Sequence, residues 1–83
     1  PAAVEELKVK LARALVHRQQ AEALAEAAQL AVERYEQLAG KGAVAEAELA
    51  RARAVSAEKA AQRDAARREV EVLQAELERA RGK

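Results

Sequence analysis

Two of the chain's three glycines stand two residues apart at its midpoint, Gly40 and Gly42, and the only proline is the first residue. Residues 2 to 39 and 45 to 81 are therefore two near-equal stretches with no internal helix breaker. Each can run as one uninterrupted helix, and the chain can reverse only between them. This spacing predicts a single all-α domain over residues 1–83, a two-helix antiparallel coiled-coil hairpin. Helix one covers about 2–40, the tip about 41–44 and helix two about 45–81.

Composition agrees with a thin rod. There are 24 alanines and one tyrosine, with no Cys, Met, Trp or Phe, so the large side chains needed for a globular core are scarce. The dominance of Ala, Glu, Lys, Leu and Arg is that of a coiled coil or long helix. Net charge is +1, and both signs are interspersed along both halves. No basic block is present to draw in nucleic acid, and no apolar run approaches the roughly 20 residues of a membrane span. No signal peptide is seen. A start at proline without methionine reads as a piece of a longer protein.

The apolar residues follow a heptad rhythm. In the first half Val4, Leu7, Leu11, Ala14, Ala21, Ala25, Ala28, Val32 and Tyr35 fall on one alternating three-and-four series. Ala45, Leu49, Ala52, Ser56, Lys59, Arg63, Ala66, Val70, Leu73, Leu77 and Ala80 form the second. If the chain reverses near residue 42, facing residues should have numbers that sum to about 84, and the two seams meet that test. Leu7 faces Leu77, Leu11 faces Leu73, Ala14 faces Val70, Val32 faces Ala52 and Tyr35 faces Leu49. Arg18, Lys59 and Arg63 also fall on the seam. Either their long side chains reach past it to water, or the register slips by a stutter in the middle. Leu15, Val16, Leu24, Leu30, Val55 and Val72 lie partly or wholly off the seam, which favours packing against neighbouring hairpins of a homo-oligomer.

At the turn, Gly42 is the better candidate for the left-handed residue that ends helix one, because Gly40 can still belong to the last turn. If Ala45 caps helix two, Glu48 is its third residue and supplies half a capping box, while Val44 and Leu49 occupy the positions of a hydrophobic staple. Ala45 itself has no side-chain oxygen with which to complete the box.

It is this stretch that resembles a known family. Arg34 with Tyr35, Leu38 four residues after the arginine, Gly42, Val44, and Glu48 with Leu49 resemble the hairpin tip of the periplasmic adaptor proteins, also called membrane fusion or HlyD-type proteins, of tripartite efflux and secretion systems. The family's tip pattern is Arg, three residues, Leu, six residues, Ser. Arg34 and Leu38 match it, whereas Ala45 stands in place of the serine and Ala50 where an acidic residue is common. The resemblance covers the whole chain as an Ala-rich hairpin, but only about 17 residues carry a specific pattern. It implies a non-catalytic hairpin in the periplasm, in a parent anchored at the inner membrane. The tip, through Arg34, Leu38, Gly42 and Ala45, would dock on a TolC-type outer-membrane channel. Lipoyl, β-barrel and membrane-proximal domains outside this chain would hold the inner-membrane transporter. A rival is the coiled-coil arm of an unrelated protein, such as a nucleic-acid-gripping or chaperone arm, although acidic residues interrupt every candidate basic stripe.

The remaining residues suggest no chemistry. His17 has no cysteine or paired carboxylates at ligand spacing, and Ser56 has neither a Gly-rich elbow nor a neighbouring base. Neither a metal, a cofactor nor an enzymatic activity is expected. Arg67 and Arg68, surrounded by Asp64, Glu69 and Glu71, read as a solvated helix face. Arg34 read without its tip pattern would be an exposed arginine paired with a glutamate.

Overall fold

The computed structural model describes residues 2–82, and the protein is a helical hairpin with no strand among them. Helix α1 spans Ala2–Gly40 and helix α2 spans Glu46–Arg81. Antiparallel packing gives a rod of 62 × 14 × 13 Å. Pro1, expected at the helix start, lies outside the described residues.

Propensity and the seam together explain two helices this long. Neither contains proline, and each carries 11 alanines, the residue with the best intrinsic helix preference. Helices of this length can form partly on propensity alone, and burial of one stripe against a partner locks them as a pair. The buried residues are Val4, Ala14, Ala21, Ala25 and Val32 on α1 and Ala66, Val70, Leu73 and Leu77 on α2, all of them on the two alternating series. Leu7, Leu11, Ala28 and Tyr35 on α1, and Leu49, Ala52, Ser56 and Ala80 on α2, are half-buried.

The middle of the seam keeps its register. Ala21, Ala25 and Ala66 are buried on schedule, and Arg18, Lys59 and Arg63 are half-buried among them. The cations therefore lay their stems along alanines and carry their charges out to the rim, where Arg18 Nε approaches Glu22 at 4.0 Å and Arg63 Nε bonds Asp64 at 3.1 Å. A stutter would have exposed the alanines that follow, and it does not occur.

Side-chain size is unequal along the rod. Ala14, Val70 and Leu73 form a buried cluster near the open end, with Leu7, Leu11 and Leu15 packed against it. Its anchor lies far from the tip, so the tip can be altered with little loss of packing.

The two flanks of the seam also differ. On one flank Arg67 Nε donates to Glu22 at 2.8 Å, Arg53 Nη2 donates to Glu36 at 3.2 Å, and Ser56 Oγ donates to Gln29 at 3.2 Å. These partners cross from helix to helix, and all the side chains are partly exposed, so each bond contributes modestly and serves mainly to fix register. On the other flank the crossing contact is His17 Nδ1 to Glu69 at 3.9 Å. Towards the tip that flank becomes apolar.

Candidate docking site at the hairpin tip

Helix α1 ends in a C-cap closed by backbone hydrogen bonds to Leu38 and Ala39. Gly42 has φ +72°, and among the described residues no non-glycine has positive φ. This left-handed residue lets the Ala43 N–H reach back to the Leu38 carbonyl at 2.8 Å, while the Gly42 N–H meets that of Ala39 at 3.0 Å. The pair of bonds is a Schellman motif, which satisfies carbonyls that a helix end otherwise leaves open. Gly40 belongs to the helix, as its preceding-turn position suggested. A Cβ at Gly42 would meet nothing within 4 Å. The glycine is thus required by its backbone angle and not by space.

Helix α2 starts at Glu46 with Ala45 as its N-cap, the placement that makes Glu48 its third residue, so the tip is residues 41–45. Ala45 has φ −73° and ψ 149°, an extended conformation that makes it the N-cap of a helix whose first residue is Glu46. For the same reason Ala45, counted on the seam from its spacing, is exposed instead of facing Ala39. Its carbonyl accepts the N–H groups of Glu48 at 3.1 Å and Leu49 at 3.2 Å, but no side chain caps the helix. Glu46 and Glu48 put negative charge in the first turn, which the helix dipole favours. Val44 and Leu49 are both half-buried. The backbone is already in the geometry that a capping serine needs, so Ala45→Ser should stabilise the hairpin by roughly 0.5 to 1.5 kcal/mol. Thermal melting followed by circular dichroism checks this, and an unchanged midpoint would mean that the added hydroxyl finds no helix N–H.

Arg34 is exposed, and its side chain forms no hydrogen bond or ion pair with any described residue. The cause is local: its helical neighbours three and four positions away are Leu30, Ala31, Gln37 and Leu38, none of them acidic. The glutamate pairing that an isolated arginine would be expected to make is absent among the described residues. Leu38, one turn on, is half-buried, and Ala31, Arg34 and Leu38 share a helix face. Beside that face runs an open groove lined by Ala28, Ala31, Tyr35, Ala52 and Val55, with Glu48 and Arg51 at its rim. The opposite flank at this level is closed by Glu36 and Arg53. One side of the tip is therefore a largely apolar trough rimmed by Glu48 and Arg51, and the other is a salt bridge.

Of the tip residues named from sequence, Arg34, Leu38, Gly42 and Ala45 all lie within the last two turns of α1 and the five-residue tip, with Arg34 and Leu38 on one face. Gly42 and Ala45 shape the backbone. Sequence reasoning did not identify Ala31, Val55 and Arg51 as the groove's border, although their heptad positions flanking the seam carried the signal. Arg67 and Arg68 are both exposed, as a solvated helix face requires, and Arg67 in addition reaches across the surface to Glu22, a pair that sequence reasoning did not identify. Among the described residues no group of three or more His, Cys, Asp or Glu side chains could hold a metal ion, and no helix is long and apolar enough to cross a membrane.

No protein-family model matches this chain, and neither does any curated protein or solved structure.

Proposed function

We propose that the chain is the α-helical hairpin of a periplasmic adaptor, a non-catalytic bridge between an inner-membrane transporter and a TolC-type outer-membrane channel that docks on the channel through its tip. The observation that carries this reading is the unpaired Arg34, one turn before Leu38, on the helix face next to Ala31, which lines the groove, near the tip of a rod 62 Å long. An arginine without an intramolecular partner keeps its five donors free for carbonyls or carboxylates at a partner's helix ends, and no bond within the hairpin need be broken first. Leu38 and the groove behind it offer a partner side chain a shallow apolar seat. The Schellman turn supports the same reading, since it holds this face still without using either side chain. Other domains of the parent would bind the transporter, and the site of action would be the periplasm.

The experiment is co-purification of the cognate channel with the hairpin-bearing protein. Arg34→Asp should reduce channel recovery by about 100-fold or more, as loss of a central charged anchor and its replacement by the opposite sign costs several kcal/mol at an interface. Leu38→Asp should do the same. Helical content and melting midpoint of Arg34→Asp should match the parent, because Arg34 supports nothing in the fold. Full channel recovery with both variants would remove the docking role and with it the adaptor reading.

A further inference from the structure

Three shallow grooves lie end to end along one flank of the hairpin. The first runs between Lys10, Arg13 and His17 on α1 and Glu69 and Leu73 on α2. The second starts at the same His17 and continues past Leu24, with Gln62 and Ala65 across from it. Ala28, Ala31, Tyr35 and Val55 carry the line on into the groove beside the tip. On α1 the lining residues recur at steps of three and four from Lys10 to Tyr35, so they share one helix face and the grooves form one furrow about 37 Å long. The opposite flank is closed by the crossing bonds of Glu22, Gln29 and Glu36. On this flank the one crossing ion pair among the described residues is His17 with Glu69, at 3.9 Å. Leu24 and Val55 stand in the furrow 54% and 42% exposed. Large apolar side chains at heptad spacing beside a seam are what a two-helix rod leaves for a third helix to cover.

We infer that the furrow seats a single amphipathic helix of a different protein, one whose apolar stripe is bordered by carboxylates on the edge facing α1 and by lysine or arginine on the edge facing α2. The charge of the two rims carries this choice of partner. On α1 the charged lining residues are Lys10 and Arg13, joined by His17, and none is acidic. On α2 Glu48 and Glu69 line the furrow, and Glu58, three residues after Val55 and four before Gln62, falls on the same face, with Arg51 the exception. Lys10, Arg13 and Glu48 have no ion-pair partner among the described residues. A helix lying in the furrow with sorted edges meets each rim with the opposite sign, the rule by which residues flanking a coiled-coil seam choose their partner. A helix with one sign on both edges would gain at one rim and lose at the other, so the furrow selects for sorted edges and not for net charge. Along the middle, Leu24 and Val55 would pack into the stripe, while Ala28, Ala31 and Ala65 let the third axis come close. This partner is distinct from the channel proposed to meet the tip, since Arg34 and Leu38 take no part and the basic rim lies towards the open end.

The probe is a synthetic helix of about 25 residues, long enough to fill the furrow, with leucine on its heptad stripe, glutamate along one edge and lysine along the other. Dye-labelled and titrated with the hairpin, it should show saturable one-to-one binding by fluorescence anisotropy. The affinity should be at least about tenfold above that of a peptide of the same composition whose glutamates and lysines alternate along both edges. Leu24→Glu should weaken binding of the sorted peptide by about tenfold or more, and Arg13→Glu by about fivefold. Leu30→Glu on the outward face of α1 and Arg34→Asp at the tip should leave the affinity unchanged, which separates this site from docking at the tip. The circular dichroism melt of Leu24→Glu should match that of the parent, because Leu24 is exposed in the hairpin. Equal affinity for the two peptides, no binding up to roughly 1 mM hairpin, or binding indifferent to Leu24→Glu would each overturn the inference. Self-association of the hairpin that Leu24→Glu abolishes would give the furrow to a second copy and overturn it as well.

Discussion

Replacing Val70 with aspartate should melt the hairpin at temperatures where the parent is folded. Val70 is the most enclosed side chain larger than alanine, at 1% exposure, packed between Ala14 and Leu73 with Leu7, Leu11 and Leu15 around them. None of these can donate a hydrogen bond from its side chain. Arg67, one turn before it on the same helix, is already engaged with Glu22. A carboxylate there must stay charged without a partner or take up a proton, and leaving a buried charge unpaired costs about 3 to 5 kcal/mol. A chain of this size has a total stability of about 4 to 12 kcal/mol. The loss is thus a large share of the whole, and the melting midpoint should fall by roughly 15 to 30 °C. Val70→Ala removes two methyl groups and should cost only about 1 to 2 kcal/mol, which separates lost apolar burial from the charge. Circular dichroism melts of the three chains decide it. An aspartate variant melting within a few degrees of the parent would mean that the seam opens easily at Val70 and that the cluster around it is not the anchor of the rod.

The same seam shows why so much of the fold was legible in the sequence. In a hairpin, a turn position and a heptad phase together fix every facing pair, and Gly42 marked the turn while Leu7, Leu77, Leu11 and Leu73 marked the phase. Gly42 could be singled out because only its backbone angle, and no packing partner, asks for glycine. The start of α2 could be read only as about 45, because alanine is equally at home as a cap and as a first helical residue; the position of Glu48 pointed to the cap, and the ψ of 149° at Ala45 makes it one. Arg18, Lys59 and Arg63 left two readings open because long cations tolerate half-burial, so their identity does not report their depth. The crossing pairs Glu22 with Arg67 and Glu36 with Arg53 needed a further offset, since flanking residues do not face each other at the seam's own level. The tip is legible to a different degree. That Arg34 lacks an acidic residue three or four positions away can be read from the chain, but the partner it meets depends on groups outside this chain.

The weakest length of the rod should become its strongest when Lys59 and Arg63 are replaced by leucine. These residues lie opposite Ala25 and Ala21, both buried, so two successive layers of the seam hold one alanine and one cation's stem each. Leucine in the same register would place its branched end against the alanines where the ammonium and guanidinium now turn away towards water. Burying most of a leucine gains about 1 to 2 kcal/mol per site. Little is lost in exchange: Lys59 makes no ion pair among the described residues, and the Arg63 contact with Asp64 is between adjacent, partly exposed side chains and is worth at most about 1 kcal/mol. The two sites are one helical turn apart and will couple, so the pair should add about 2 to 3 kcal/mol and raise the midpoint by roughly 10 to 20 °C. The cations are then specificity devices, retained where leucines would hold the rod harder but would also make its surface stickier in any slipped register. Thermal melts at several concentrations separate the two possibilities. A midpoint that rises at every concentration, with the chain no more self-associated than the parent, places both leucines inside the seam. A midpoint that stays put, or rises only as concentration does, would put them on the surface, and the continuous register through Arg18, Lys59 and Arg63 would have to be abandoned for a stutter.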